Sequence, residues 1–350
     1  MIDKFDDVRR LMRSLDPIRR DRFAGAAQSP EARETLRRIV AENAAPSRSR
    51  PPRRRIMVLG AAGLATACAV TVGLVSWTTP LQYPATPEIL TYTLAGHSVS
   101  QDDTLPSARR ALLALAETAA GQPARPVPPG AAYSHVSRNE WNLITSFSHG
   151  RTTSEIVPAV VEQWTPLRRE GRIRRISSPG HPLATRYEGE AAAGTAVRPV
   201  LEETFPVDAG HFPPVSALPG DLHKALLDRV NLPEAGETHR LVQSVIALHL
   251  QQTVPPGDAA RLWRLLAERP DLKHLGTVVD RAGRKGEAVA LDEKYSLPRR
   301  WALIIAPETG ELLAVEEMLT ENAGKLNLDV PAVIGYKLLL NGDYAQNPGS

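Results

Sequence analysis

The sequence predicts an α+β fold: N-terminal cytoplasmic helices, one transmembrane helix, and an extracytoplasmic antiparallel sheet interrupted by a helical insertion. Three observations predict it. Residues 56–77 run for 22 positions without a charge or a proline. Residues 131–176 and 274–319 alternate apolar and polar side chains between turn signals, the period-two signature of strands. Residues 222–270, between those blocks, instead place apolar positions at three- and four-residue steps behind cap-like residues, which is helical spacing.

The elements follow in chain order. Phe5, Val8, Leu11, Met12 and Leu15 draw one apolar face on a short helix ending near Asp16-Pro17. Ser29-Pro30-Glu31 opens a second helix through Leu36, Ile39 and Val40. Two such helices cannot bury enough surface to fold alone. Residues 1–43 are therefore expected to order only against a partner, the membrane surface or each other, with the Phe5–Leu15 face as the candidate partner contact. Residues 44–55 form a basic linker. The apolar run 56–77 would rise ~33 Å as a helix, matching a hydrocarbon core of about 30 Å. Arg48, Arg50, Arg53, Arg54 and Arg55 abut its N-terminal end, and the other flank has one acid and no base, so the N-terminus is expected in the cytoplasm.

Residues 78–130 read as a proline-rich spacer holding one helix near 107–121. The extracytoplasmic domain is expected over 131–340. It opens with extended chain over 131–147 and a hairpin that joins 155–167 to 172–177. A strand near 200–205 and three helices beginning near Leu222, Thr238 and Pro256 come next. Two further hairpins turn at 280–284 and at Pro307-Glu308-Thr309-Gly310, where Gly310 supplies the left-handed conformation. Residues 341–350 are expected to be a tail.

Charge separates the two ends of the chain. Residues 1–55 carry 15 Lys or Arg against 8 Asp or Glu, whereas the whole chain has a formal charge of only +3, so the remainder is slightly acidic. The single cysteine, Cys68, lies inside the apolar run, so the outer domain has no thiol for a disulfide or for zinc. No HExxH, GxSxG, GxxxxGK[ST], GxGxxG or paired CxxC pattern occurs. The reading is non-enzymatic, with no catalytic residue, metal site or cofactor assigned. His239 and His249 stand ten residues apart, off the i, i+4 step that suits a shared metal. Glu316 and Glu317 are neighbours on a strand, so they point to opposite faces and make a poor acid–base pair. The arginines before the span suit anionic headgroups of the lipid bilayer, and no direct nucleic-acid contact is expected. Tyr133, Trp141, Trp164 and Trp301 are the candidate lining of a ligand groove, although strand aromatics more commonly serve as core.

Several motifs together resemble a known family. They are the LDP at residues 15–17, the RRR boundary with its apolar span, the WxxL helix at Trp263, the GxxxDxxGRxGxAV run over 276–289, and the strand pair WALIIAPETGELLAVEEML. The chain resembles actinobacterial single-pass membrane proteins of unassigned chemistry encoded beside extracytoplasmic-function sigma factors. The strand, Pro-x-Thr-Gly turn, strand unit also resembles the RseB/LolA-like half-barrel of lipoprotein carriers and envelope sensors. These resemblances imply a membrane-tethered regulatory or sensory protein, anti-sigma-like in layout, with a sigma factor or other cytoplasmic regulator inside. Outside, they imply a domain that binds a ligand or a protein, lipid or lipoprotein among the candidates. A zinc-type anti-sigma segment is excluded, because residues 1–55 hold neither His nor Cys. The alternatives are a lipid- or lipoprotein-binding envelope protein and a structural envelope protein.

Overall fold

A computed structural model describes residues 86–100, 104–148, 151–168, 170–180, 200–207, 220–230, 232, 234–294, 297–326 and 328–349. The expected cytoplasmic helices with Phe5, Val8, Leu11, Met12 and Leu15, the basic linker, the span at 56–77 and the start of the spacer lie outside these residues. Among the described residues no helix is long and apolar enough to cross a membrane.

The described chain is an α+β structure dominated by one antiparallel sheet of eleven strands. In chain order the strands are β1 (Thr93–Leu94), β2 (His97–Ser98), β3 (Tyr133–Ser148), β4 (Arg151–Pro166), β5 (Arg172–Pro179), β6 (Leu201–Pro206), β7 (Leu272–Val279), β8 (Lys285–Glu293), β9 (Arg299–Ile305), β10 (Leu312–Leu319) and β11 (Ala332–Ala345). Four helices accompany them: α1 (Arg109–Ala120), α2 (Leu222–Leu227), α3 (Glu237–Gln251) and α4 (Pro256–Ala267). The spatial order β2-β1-β7-β8-β9-β10-β11-β3-β4-β5-β6 brings the last strand, β11, between the two hairpin blocks. The tail expected from residue 341 therefore begins inside β11, whose Asn341–Ala345 stretch pairs with Ser137–Tyr133. β3 and β4 pair along their full length as one long hairpin.

The helices roof one face of the sheet. α1 presents Leu112, Leu115, Ala116 and Ala119, one stripe at i, i+3, i+4, i+7, as its buried side. These join α3 and α4 residues such as Leu241, Val245, Leu262 and Leu266 over Leu272, Val289, Leu291, Leu303, Ile305 and Val315 of the sheet. Trp263 is fully buried there; its indole N–H donates to the Gly310 carbonyl at 2.7 Å, and its ring stacks on His249 at 5.6 Å. Burial pushes the His249 imidazole down to about 4, against a hydrogen bond to the Val245 carbonyl. Gly310 has φ 73°, and a Cβ there would meet the Ala119 methyl at 2.5 Å. The turn that the sequence marks thus needs glycine twice over, for its conformation and for its approach to α1.

The opposite face is crossed by the chain that leads into α1. Tyr92 is buried against Leu275, Ala288, Ala302, Ile304 and Ala314. The approach is close: Gly276 has φ 89°, and a Cβ on it would lie 2.1 Å from the Thr93 carbonyl oxygen. Arg281 fixes the segment. It grips Glu316 with two nitrogens at 2.7 and 3.1 Å, donates to the Glu88 carbonyl at 2.8 Å, and lies 5.0 Å over the Tyr336 ring. Burial pushes the Glu316 carboxyl up, opposed by Arg281. Glu317, one residue on, points through to the roofed face and pairs with Arg299.

Candidate ligand pocket

The Gln252 backbone N–H closes the end of α3 by donating to the Leu248 carbonyl, and side chains of the sheet hold the carbonyls that follow. Arg138 on β3 donates to the Leu250 carbonyl, and Thr165 on β4 donates to that of Gln251. These carbonyls are among the four that a helix C-terminus leaves without intrahelical partners. Around them lies a buried polar network. Arg138 pairs with Glu140, which also accepts from Asn142 at 3.1 Å. Arg175 donates twice to Gln163 Oε1, at 3.2 and 3.0 Å, and Gln163 donates on to Thr165 at 3.1 Å. Burial pushes the Glu140 carboxyl up, but the charges of Arg138 and Lys337 and the hydrogen bonds overcome it and hold it at about 2. Burial, and then the charge of Arg138, pull the Arg175 guanidinium below its ordinary value.

The chain then turns into α4. The Thr253 amide donates to Ser134 Oγ at 2.6 Å and its hydroxyl donates to the Asp343 carbonyl at 2.8 Å, so the α3–α4 connection is tied to β3 and β11 together. Pro255 and Pro256 follow, with Pro256 at the first helical position of α4, where a missing N–H costs nothing. Against this connection lies the proline-rich stretch after α1. Between them opens a pocket of about 430 Å³, lined by Ala124, Arg125, Pro126, Val127, Leu167, Gln252, Thr253, Pro255, Pro256, Gly257, Asp258, Arg261 and Tyr344. Most of this wall is apolar. Its polar side chains are two guanidiniums, one carboxylate, a phenol, the Gln252 amide and the Thr253 hydroxyl. Arg261 leans on Asp258 at 3.2 Å. Burial pushes the Tyr344 phenol up, against the pull of Arg125, so it remains an O–H donor at neutral pH.

The aromatic residues expected to line a groove do not gather. Trp301 lies on the roofed face, edge-on to His239 at 6.2 Å. Trp141 lies on the other face and stacks on Tyr336 at 5.3 Å. Trp164 shares that face, stacked on His135 at 4.7 Å with Arg174 5.5 Å above its ring. Along β4, however, Trp164 stands six residues from Pro158, the partner of Trp141, or about 20 Å. Tyr133, half-buried, sits at the β3 end opposite Pro166. The three tryptophans are buried. The histidines of the helical block are likewise held one by one: His223 by Glu237, His239 beside Glu293, His249 against Trp263, and His274 by Glu287.

None of the four expected aromatics lines the pocket. Its walls come from four stretches distant in sequence: the break after α1, the β4–β5 turn, the α3–α4 connection and the end of β11. The sequence marked the first only as a spacer and the last as tail. The Pro-Pro pair before a helix start is the one local signal that could have singled it out.

Comparison with known proteins adds little. No family model and no curated protein matches the chain. Among solved structures, a DUF1329 family protein from Desulfovibrio piger is similar at 10% identity and a TM-score of 0.19, covering 68% of this chain and 93% of that one. At that TM-score the likeness says nothing about fold or ligand.

Proposed function

We propose that this chain is a non-enzymatic, membrane-tethered regulatory or sensory protein whose C-terminal domain binds a ligand outside the membrane. In this reading the apolar run 56–77 is the tether. The face formed by Phe5, Val8, Leu11, Met12 and Leu15 meets a sigma factor or other regulator in the cytoplasm. The observation that carries the outer half is the pocket itself: mostly apolar, about 430 Å³, and walled by backbone that side-chain hydrogen bonds fix in place. Pockets that hold small ligands share this character of an apolar wall with a few placed polar groups. The half-barrel resemblance would put a ligand against the curved sheet. The helix-covered face of that sheet is filled by the apolar core and by the Arg138–Glu140 network, which favours the pocket beside the α3–α4 connection instead.

The test is occupancy. Val127 is 49% exposed on the pocket wall, so Val127→Trp fills the mouth without touching the core. Protein purified from its host membranes should release a molecule on organic extraction, identified by mass spectrometry, that the Val127→Trp protein lacks. Identical extracts from the two would remove the pocket as the site of function.

A further inference from the structure

Resting on that reading of the pocket, we infer that its ligand is an amphiphile with an apolar body and an anionic head, a phosphate or a carboxylate. The lining of the pocket carries two guanidiniums, Arg125 and Arg261, against one carboxylate, Asp258. Asp258 is already engaged, accepting from Arg261 at 3.2 Å. Arg125 has no ion pair or hydrogen bond among the described residues. The Tyr344 hydroxyl has no hydrogen-bond partner among them either, although its ring is half-buried in the wall. A cation and a neutral O–H donor therefore face the same opening, with donor capacity unspent and one positive charge uncompensated. An anion is the group that takes both, since charge-assisted hydrogen bonds from guanidinium to phosphate or carboxylate are the strong ones. In the same wall Val127, Leu167, Pro255 and Pro256 offer nothing to a hydrated ion. They offer apolar surface to a hydrocarbon body. The two halves of the wall ask for one molecule with two ends.

The experiment uses the full chain in phosphatidylcholine nanodiscs and two photoreactive probes, dodecyl phosphate and dodecanol, each with a diazirine at the far end of the chain. Crosslinked peptides are read by mass spectrometry. The phosphate probe should label peptides covering 121–132 and 252–261 about tenfold more than the alcohol does, the order expected for one charge-assisted bond. Arg125→Gln, an exposed substitution, should bring the phosphate probe down to the level of the alcohol, and Tyr344→Phe should lower it by a smaller factor. Equal labelling by both probes, unchanged by Arg125→Gln, would overturn the anionic head and leave the pocket standing. Displacement of the probe by inorganic phosphate as effectively as by unlabelled dodecyl phosphate would overturn the apolar body. No labelling of these peptides by either probe would remove the ligand-binding reading along with the inference.

Discussion

Replacing Arg138 with methionine removes a charge from the middle of the polar network and keeps most of its bulk. Glu140, 7% exposed, would lose its nearest counter-charge, and the Leu250 carbonyl would lose its donor. Breaking a buried ion pair on one side costs about 3–5 kcal/mol, because the surviving charge is left without compensation. The pH profile gives a second handle. A carboxyl that titrates at about 2 in the folded protein and near its ordinary 4.5 when unfolded contributes about 3 kcal/mol. That contribution is fully present above pH 4.5 and is lost as pH falls towards 2. In Arg138→Met the largest pull is gone, leaving only Lys337 and Asn142 against the burial that pushes the carboxyl up. Acid destabilisation should therefore set in at higher pH. Urea unfolding followed by tryptophan fluorescence measures both effects. The double variant Arg138→Met, Glu140→Met should be markedly more stable than Arg138→Met alone, since it no longer leaves the buried Glu140 carboxylate without its arginine. A loss below about 1 kcal/mol in the single variant, or a double variant no better than the single, would refute the coupling.

Two further outcomes follow from the roofed core. His249 is held down at about 4, so it is neutral when folded and draws a proton when unfolded; stability should fall as pH drops from 6.5 towards 4, by up to about 3 kcal/mol. His249→Gln should flatten that limb in pH-dependent thermal melts, and an unchanged limb would show that some other group titrates there. Gly310→Ala should cost more than about 1 kcal/mol in urea unfolding, because the new methyl meets both a positive φ and the Ala119 methyl; a neutral effect would mean the turn and α1 can part without loss.

Much of the sheet could be read from the sequence where a turn announced it. The Pro307–Gly310 turn joins β9 to β10, and Asp280–Arg284 joins β7 to β8, with Asp280 accepting the amides of Ala282 and Arg284. β11 had no such signal. Its sequence mixes Gly335, Lys337, Asn341, Gly342 and Asp343 among apolar residues, and it is a strand because β10 and β3 leave a vacancy that only a distant segment can fill. The aromatic set is dispersed for a related reason. Alternation within a strand says which residues share a face, but the face itself depends on register against neighbours. Trp301 pairs with Leu291 and Glu317, Trp141 with Pro158 and Tyr336, and the sheet separates them. Helices were easier to read, because each buried stripe is local. The pocket was illegible for the opposite reason, since no two of its four walls are close in sequence.

The grip of Arg281 on Glu316 and the Glu88 carbonyl also sets a leash. In the tethered arrangement proposed above, only residues 78–87 separate the end of the apolar run from that anchor, ten residues that span at most about 35 Å even when fully extended. The domain would then work within one molecular diameter of the lipid surface, too short a tether to search a thick envelope. A ligand would have to arrive at the membrane, or already reside in it, before the pocket could meet it.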